Sequence, residues 1–414
     1  MKVLHISHSD GKSGAGIAAS RIHEALYNNK NLDKSNLQVN RKFNNIPNTF
    51  YKKTIFQKGL IFIKIYVERL LIKLINYRDM NFHSISSFPS KFDSRINKSD
   101  FEIVNLHWVQ HEMISIEAIG RIKKPIVWTL HDAWAFLSTN HYPKNNFKND
   151  ASNSYKNKII FSYFIDQWCL RRKKKYWKEK MQIVCPSNWL AKQAISSDLM
   201  KDWEVSVIPN PLNISIFKPL EKKSARKLLN IPTDKKKLLA FGAIDGVMDI
   251  RKGGDLLLKT IENLYELNKD FSLITFGKSC AIFKDKDFNI ISYDQGFISK
   301  EEKLAIIYSA ADILIMPSRI ESFGQVASES MACGTPVIGF NTTGIKDIID
   351  DDINGFLINN FDCYEMASKT NFLLNNENLI KNFQIKCREK ALKKWSYEVV
   401  SDQYIKLYKS MKKK

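Results

Sequence analysis

Short apolar runs rich in β-branched residues alternate along the chain with longer segments of helical periodicity. One series of predicted strands comprises residues 2–7, 102–107, 125–131, 182–186 and 205–209, and a second comprises 237–242, 272–277, 312–318 and 335–340. Near-continuous apolar strands separated by helices are typical of parallel sheets that are buried on both faces. Two such series predict an α/β protein with two Rossmann-like, doubly wound domains that face each other across a cleft.

The seam between the two series falls in the segment IPNPLNISIFKPL, residues 208–220, where three prolines interrupt the pattern. We therefore predict an N-terminal domain over residues 1–211 and a C-terminal domain over 212–391. Residues 392–414 carry apolar side chains at helical spacing, which predicts a C-terminal helix that packs back on the N-terminal domain. Ligands of open parallel sheets bind beyond the carboxyl ends of the strands, so we expect the active site at those ends.

The positive charge is concentrated in the first half of the chain. The protein has 64 basic and 43 acidic residues, a net charge of +21, and residues 1–210 contain 33 of the basic and 17 of the acidic ones. Such a field attracts nucleic acid, anionic lipid or a phosphorylated substrate, and composition does not choose among them.

Two basic segments of the first half of the chain allow two interpretations. Residues 60–77 have an apolar face, and seven basic residues lie within 52–78; residues 171–180, RRKKKYWKEK, predict a second cationic helix. The apolar face of the first segment consists of Leu60, Ile63, Val67, Leu70, Leu71 and Leu74. These helices either dock the N-terminal domain on an anionic membrane where a lipid-linked acceptor waits, or the first covers the sheet and exposes a solvated cationic face.

Cysteine usage and hydropathy predict a cytoplasmic protein, with peripheral attachment to the inner face of the cell membrane as the open alternative. The six cysteines, Cys169, Cys185, Cys280, Cys333, Cys363 and Cys387, form no CxxC pair. Their spacing is that of reduced thiols rather than of a zinc or disulfide framework. The amino-terminal residues do not have the pattern of a signal peptide, and no run of 18 apolar residues occurs.

The most informative segment for chemistry is residues 309–349. A predicted strand ends at Pro317, and a helix is predicted to start near Gly324. The amides of Gly324, Gln325 and Val326 would lie at that helix N-terminus, where unpaired N–H groups and the helix dipole bind phosphate. This arrangement predicts an anion site in the C-terminal domain.

Two acids and two cations surround that predicted site. Glu321 precedes the helix, and Glu329 lies about 7 Å further along its axis at ~1.5 Å per residue. Carboxylates at these places either accept hydrogen bonds from sugar and ribose hydroxyls or are solvated acids favoured by the helix dipole. Arg251 and Lys252 follow another strand, where they either neutralise a diphosphate or are surface cations.

These residues resemble a known family. The segment ESFGQVASESMACGTPVI carries the E-x7-E pattern, Glu321 and Glu329, of glycosyltransferase family 4, a retaining family with the GT-B fold. The similarity continues in YSAADILIMPS, GTPVIGFNTTG, NGFLI and RKG of the C-terminal half, and in SGAGIAASRIHEAL, VNLHWVQHEMISI, PIVWTLHDAWAF and CPSNWLA of the N-terminal half. The N-terminal segments resemble a branch associated with bacterial surface-polysaccharide assembly: capsule, exopolysaccharide or lipopolysaccharide.

The resemblance implies roles on the donor side. Lys252 would contact the donor diphosphate, and the amides at Gly324–Val326 would hold its oxygens. Glu329 would bond the ribose hydroxyls, and Glu321 would face the donor sugar. The donor would be a UDP- or GDP-linked hexose, used as a substrate, with no cofactor.

The resemblance also implies roles for the N-terminal half. The glycine pair Gly14 and Gly16 would close over the donor or acceptor side. His131 would lie beside the transferred sugar. Alone, a histidine past a strand end is more often structural, but the adjoining Asp132 and the resemblance favour a catalytic role. His107, Asp132 and His141 are the weaker candidates for the acceptor side, which would bind a glycan or a lipid-linked glycan.

The chain departs from the family pattern at three places. Ala243 follows Gly242 where the family often has arginine, so the hypothesis is that Arg251 supplies the second cation. Residues 137–155 retain His141 but none of the expected cysteines, and Ser13 replaces the first glycine of the N-terminal loop. The first two departures put a donor cation and the acceptor architecture in question.

Three other functions compete with retaining, metal-independent glycosyl transfer. A sugar-nucleotide epimerase or phosphorylase could have the same architecture, and acceptor-dependent release of nucleoside diphosphate would distinguish it. A basic nucleic-acid-binding protein fits the charge, but no nucleic-acid module is recognisable in the sequence. A catalytically silent partner subunit is the third alternative, which Ala243 makes more plausible. No D-x-D pair stands in a suitable loop, so we expect no metal.

Overall fold

The computed structural model describes residues 1–51, 55–75, 82–143, 160–233, 237–244, 246, 249–278 and 290–412. Contacts between residues divide the chain into two compact units, Met1–Ile208 together with Ser401–Lys414, and Pro209–Val400. Each unit is built on one parallel sheet. The predicted α/β fold with two doubly wound sheets is therefore confirmed.

The first unit has a seven-stranded sheet. Its strands are β1 (Lys2–Ser9), β2 (Lys34–Arg41), β3 (Thr49–Phe50), β4 (Ile103–Leu106), β5 (Ile126–Thr129), β6 (Gln182–Cys185) and β7 (Val205–Val207). They lie in the order β3-β2-β1-β4-β5-β6-β7, and every pair is parallel. All residues of β4, β5 and β6 are buried, because helices cover both faces of the sheet.

The helices of the first unit connect these strands. They are α1 (Gly14–Tyr27), α2 (Ile55–Ile75), α3 (Phe92–Asn97), α4 (Ile116–Gly120), α5 (Ile160–Tyr176) and α6 (Asn188–Ile195). Serine side chains start three of them by accepting hydrogen bonds from first-turn amides, Ser13 for α1, Ser115 for α4 and Ser187 for α6. The serine that replaces a glycine at position 13 therefore caps a helix.

The second unit has a six-stranded sheet. Its strands are β8 (Lys237–Ala243), β9 (Phe271–Gly277), β10 (Ser292–Asp294), β11 (Ile313–Met316), β12 (Val337–Phe340) and β13 (Gly355–Ile358), in the order β10-β9-β8-β11-β12-β13. Its helices are α7 (Lys222–Leu228), α8 (Gly254–Leu267), α9 (Glu301–Ala310), α10 (Gln325–Ala332), α11 (Cys363–Leu374) and α12 (Glu377–Trp395). Two 3-10 helices, Ile250–Lys252 and Thr343–Asp347, follow β8 and β12.

The last helix, α13 (Tyr397–Met411), begins after a break at Ser396, so residues 392–395 form the end of α12. From Ser401 onward α13 belongs to the first unit. Two fully buried tyrosines attach it there: the hydroxyl of Tyr408 accepts a hydrogen bond from Asn105 of β4 at 2.8 Å, and that of Tyr404 lies 3.2 Å from the hydroxyl of Thr129 of β5. Buried hydroxyls with partners fix the helix more specifically than apolar contact alone.

Five of the six cysteines lie within the described residues, and all five are free thiols; Cys280 lies outside them. Among the described helices, none combines the length and the apolar character that crossing a bilayer requires.

Candidate functional site

In the second unit the chain changes direction across the sheet between β8 and β11. From this pair, β9 and β10 extend to one side and β12 and β13 to the other. A crevice opens beyond the carboxyl ends of two such strands, and doubly wound proteins bind ligands there. The 3-10 helix Ile250–Lys252 follows β8, and the loop 317–324 follows β11. The fold therefore places the predicted donor-side residues at this switch point.

The loop after β11 ends in a helix start that is open to an anion. Gly324, the N-cap residue of α10, has φ 105° and ψ 56°, a left-handed conformation that glycine adopts without steric cost. Within the described residues, no side chain caps this helix and no acid lies in its first turn. The first turn of α10 contains Gln325 and Val326, whose amides were predicted to hold phosphate, and that role stays a prediction.

Lys252 and Glu321 meet beside this helix start. Lys252 Nζ lies 2.5 Å from Glu321 Oε1, which also accepts a hydrogen bond from Ser318 Oγ at 3.1 Å. The lysine side chain keeps 28% exposure and the glutamate 11%. An anionic ligand that approaches from solvent can therefore reach the ammonium group, while Glu321 is held in place by its neighbours.

Gly253 holds the lysine segment close to the end of β11. It has φ 68°, and a Cβ on it would lie 2.0 Å from the carbonyl oxygen of Pro317. No L side chain fits at that distance. The glycine of RKG is thus required for the approach that brings Lys252 to Glu321.

Arg251 is engaged elsewhere. Its Nε and one terminal nitrogen donate to the two carboxylate oxygens of Asp249 at 2.9 and 2.6 Å, a bidentate pair. Burial opposes ionisation of Asp249, but Arg251 outweighs that effect and lowers its pKa. The role of Arg251 as a second donor cation stays a prediction, and it requires this pair to be shared or opened. Ala243, where the family often has arginine, is buried and contributes no cation.

Glu329 lies inside the second unit on α10. Its side chain is 5% exposed, and the hydroxyl of Tyr308 on α9 donates to Oε2 at 2.8 Å. Tyr308 is itself fully buried. The tyrosine fixes the carboxylate, and sequence reasoning missed it. The sequence marked Tyr308 only by its position in the segment YSAAD, 21 residues before Glu329. An aromatic residue at such a position is ordinarily interpreted as part of the core.

Three histidines are in contact in the first unit: His107 and His131 follow the carboxyl ends of β4 and β5, and His5 lies within β1. His5 Nδ1 lies 3.0 Å from His107 Nε2, and His107 Nδ1 lies 3.1 Å from His131 Nε2. Burial lowers the pKa of His107 well below its ordinary value and that of His131 to about 4. The three histidines are therefore neutral near pH 7. Because Nε2 of the half-buried His131 faces His107, a ligand of His131 would meet Nδ1.

Asp132 and His141 form a second polar cluster. Asp132 Oδ2 lies 2.5 Å from His141 Nδ1 and accepts from Trp108 Nε1 at 2.7 Å, while Oδ1 accepts from the amide of Trp134. Burial opposes ionisation of Asp132, but these partners outweigh it and lower the pKa. Both residues are nearly inaccessible, with 8% and 1% exposure. This geometry orients the loop after β5, and a role of either group on the acceptor side stays a prediction.

Lys173 holds the same loop and was missed. The sequence placed it in a cationic helix, but it is fully buried on α5 and donates to the carbonyls of Trp134, Leu137 and Ser138 at 2.5 to 3.0 Å. Burial lowers its pKa to about 7. A run of five basic residues is ordinarily interpreted as a solvated face, so the sequence does not indicate that Lys173 is buried.

Gly14 and Gly16 lie in the first turn of α1 and not in a loop. The amide of Gly16 donates to the Ser13 cap at 3.1 Å, and a Cβ on Gly16 would lie 2.5 Å from Ser9 Oγ. Close packing of α1 against the end of β1 accounts for Gly16. Contact of either glycine with a ligand stays a prediction.

Within the described ranges of the chain, no three side chains of His, Cys, Asp or Glu converge as a metal site would require. Metal independence of the protein stays a prediction.

The chain is similar to glycosyltransferases over different shares of its length. Residues 221–393 match the family of glycosyl transferases group 1. An uncharacterized 41.2 kDa protein of the cps region of Klebsiella pneumoniae is 23% identical over 337 residues, which are 80% of this chain and 85% of that protein. The D-inositol 3-phosphate glycosyltransferase of Mycolicibacterium smegmatis is 29% identical over 196 residues, which are 45% of this chain and 44% of that enzyme.

A solved structure extends the likeness to the whole fold. HepE of Anabaena in complex with UDP-glucose superposes with a TM-score of 0.67 at 15% sequence identity, over 99% of this chain and 100% of HepE. At that identity the likeness concerns architecture, and it agrees with the two parallel sheets described above. Residues 221–393 are therefore similar to the glycosyl transferases group 1, within a chain whose fold is that of the GT-B structures.

Proposed function

We propose that the protein transfers a hexose from a UDP- or GDP-linked donor to a glycan or lipid-linked glycan acceptor, with retention of anomeric configuration and without a metal ion, in surface-polysaccharide biosynthesis. The observation that carries the proposal is the Lys252–Glu321 pair, in which the lysine side chain stays accessible, near the N-terminus of α10. Support for the pathway comes from the relative in a cps region, and support for a nucleotide-sugar donor comes from the UDP-glucose that HepE binds.

The proposed chemistry follows from where charge develops. As the bond between sugar and diphosphate breaks, negative charge grows on the leaving group. The ammonium of Lys252 and the first-turn amides of α10 stabilise that charge. Removing one preorganised donor of this kind typically costs on the order of 10²–10³ in rate.

The remaining residues bind rather than react. We propose that Glu321 accepts a hydrogen bond from a hydroxyl of the donor sugar when Lys252 moves to the diphosphate. Glu329, oriented by Tyr308, accepts from the ribose hydroxyls. His131 is neutral near pH 7 because burial lowers its pKa, so it would act as a hydrogen-bonding group and not as a cation.

Turnover with a panel of donors tests the function. The purified chain is incubated with UDP-glucose, UDP-galactose or GDP-mannose, with and without acceptor glycans, and release of nucleoside diphosphate is measured. We expect release that depends on an acceptor, loss of that release in Lys252→Ala, and an anomeric configuration in the product that matches the donor. A new sugar nucleotide formed without acceptor would indicate an epimerase, and absence of turnover with every donor would contradict the proposal.

A further inference from the structure

The outward face of α2 is apolar, and its large side chains are exposed in the part of the chain that the structure describes. Phe62, Tyr66, Leu70 and Leu74, spaced four residues apart, are 68, 62, 45 and 69% exposed. Five of the six residues of the apolar face predicted from the sequence are exposed, and none of the six is buried. The helix instead docks through its other side, where Glu68 is 2% exposed and aliphatic side chains of the same helix are buried. The predicted face therefore does not cover the sheet.

The outward face of α5 has the same character. Its first turns expose Tyr163, Phe164 and Trp168 by 49, 61 and 42%. Its last turns expose Arg171, Lys174 and Lys175, while Cys169, Arg172 and Lys173 point inward. One side of the helix thus runs from aromatic to cationic.

The two helices are anchored on one short segment. Glu68 of α2 accepts from the amides of Ile85 and Ser86 at 2.8 and 3.1 Å, and Arg172 of α5 donates to the carbonyls of the same two residues at 3.2 and 2.7 Å. Ile75 of α2 and Cys169 of α5 pack together with Ile85 in one apolar cluster. The exposed faces therefore belong to a single region of the first unit, which we call the α2–α5 surface.

Acidic groups are withdrawn from this surface. Glu68 is the only acid in α2 and Asp166 the only acid in α5. Both are buried, and Asp166 accepts a hydrogen bond from Thr139 Oγ1 at 2.5 Å. Among the described side chains of the two helices, the exposed charged ones are all basic: Arg69, Lys73, Arg171, Lys174 and Lys175.

Aromatic and leucine side chains beside lysine and arginine, with no exposed acid, fit the boundary between lipid headgroups and acyl chains. The basic groups would attract anionic headgroups at about 1 kcal/mol each. A second copy of the chain fits less well, because it would bring two surfaces of the same charge together. An apolar surface of this extent on a soluble unit also marks an interaction site.

We propose that the α2–α5 surface binds the face of a bilayer that contains anionic phospholipid, with the apolar residues inserted and the basic residues on the headgroups. The proposal goes beyond the transfer reaction, since it names a second partner and does not depend on the donor site. It would hold a lipid-linked acceptor within reach of the first unit.

Flotation of the full chain with vesicles tests the proposal. Vesicles of phosphatidylcholine alone are compared with vesicles that also contain phosphatidylglycerol, at low and high salt. We expect flotation with the anionic vesicles only, and weaker flotation at high salt. The double variant Lys174→Gln, Lys175→Gln should bind on the order of 30-fold more weakly, from two lost charges.

The apolar contribution is tested with Phe62→Gln combined with Leu74→Gln, both at exposed sites, so that the fold is spared. A matched control changes Phe372 and Ile385, which are 52 and 57% exposed in the second unit, to glutamine. We expect loss of flotation in the first double variant and none in the control. No flotation of the wild-type chain, or equal flotation of all variants, overturns the proposal. Sedimentation that shows dimers lost only in the Phe62 and Leu74 variant, without vesicle binding, would assign the surface to a second copy instead.

Discussion

A buried pair of carboxyl groups should make the stability of the first unit depend on pH. Glu112 accepts from the amides of Ser87 and Phe88 at 2.9 Å each, next to Glu68 of α2, and the two glutamates are 3 and 2% exposed. Burial, with the neighbouring charge of Glu68, raises the pKa of Glu112 to about 8. The protonated carboxyl of Glu112 would donate to Glu68, and Glu112→Gln retains a donor without the titration.

The direction in which stability changes with pH follows from the proton that Glu112 holds in the folded state. In the unfolded chain a glutamate has a pKa of about 4.3 and is ionised above neutral pH. The contribution of Glu112 to stability is therefore present at low pH and is lost as the pH rises through about 8. Between pH 7 and 9 the protonated fraction falls from about nine tenths to about one tenth. This change removes on the order of 1 kcal/mol from the free energy of unfolding.

The comparison of variants isolates this contribution. Lys173, whose pKa burial lowers to about 7, acts in the opposite direction above pH 7, but it is common to both chains and cancels. We therefore expect the stability of wild type minus that of Glu112→Gln to fall by on the order of 1 kcal/mol from pH 7 to pH 9. Glu179→Gln, at an exposed acid, should parallel the wild type.

Urea unfolding followed by tryptophan fluorescence measures this difference. Seven of the eight tryptophans lie within residues 1–208, so the signal reports mainly on the first unit. Midpoints are compared at pH 7, 8 and 9. If the curves of wild type and Glu112→Gln stay parallel over that range, Glu112 is ionised in the folded protein and the reasoning is refuted.

Three further changes address the donor side and the loop after β5. Tyr308→Phe removes the donor to Glu329 and should weaken UDP binding in calorimetry by about 1 kcal/mol, and unchanged affinity would exclude the positioning role. Gly253→Ala places a Cβ 2.0 Å from a carbonyl oxygen and should lower both the melting temperature and the turnover. The control is Gly296→Ala, at a residue that also has a positive φ, 62°, but open space around it, and its effect should be smaller. Equal effects of the two substitutions would show that backbone strain alone is the cause. Lys173→Met leaves three carbonyls without their donor and should destabilise the first unit by roughly 2–4 kcal/mol in urea, while a smaller loss would show that water replaces the amine.

Regular apolar patterns predicted most strands of the two sheets. All nine strands expected from the sequence lie on strands of the structure. The strands that the pattern did not predict have physical reasons. β2 is polar along most of its length, and the structure buries Ser35, Asn36 and Asn40 within it. Strands β3 and β10, of sequence TF and SYD, are too short and too polar to form an apolar run.

Contacts between distant residues were beyond the reach of the pattern. Lys252 and Glu321 are 69 residues apart, and local spacing does not reveal that they pair. The same limit applies to Tyr308 and Glu329. What the sequence did place was the neighbourhood, because residues that follow adjacent parallel strands gather at one edge of the sheet.

The direction of side chains on helices was the other limit. The sequence correctly showed an apolar stripe on α2, but an apolar stripe predicts burial, and here the stripe faces outward. The docking side of α2 includes a buried acid, Glu68, that reads as exposed in the sequence. Likewise Arg172 and Lys173 were assigned to a cationic helix, although their side chains point into the core.

The proposed transfer requires a nucleoside diphosphate at the start of α10, and a crystal structure with bound UDP tests this binding most directly. We predict phosphate oxygens within hydrogen-bonding distance of Lys252 Nζ and the first-turn amides of α10, with the ribose hydroxyls on Glu329. A nucleotide bound elsewhere, with Lys252 still paired to Glu321 and α10 vacant, would contradict it.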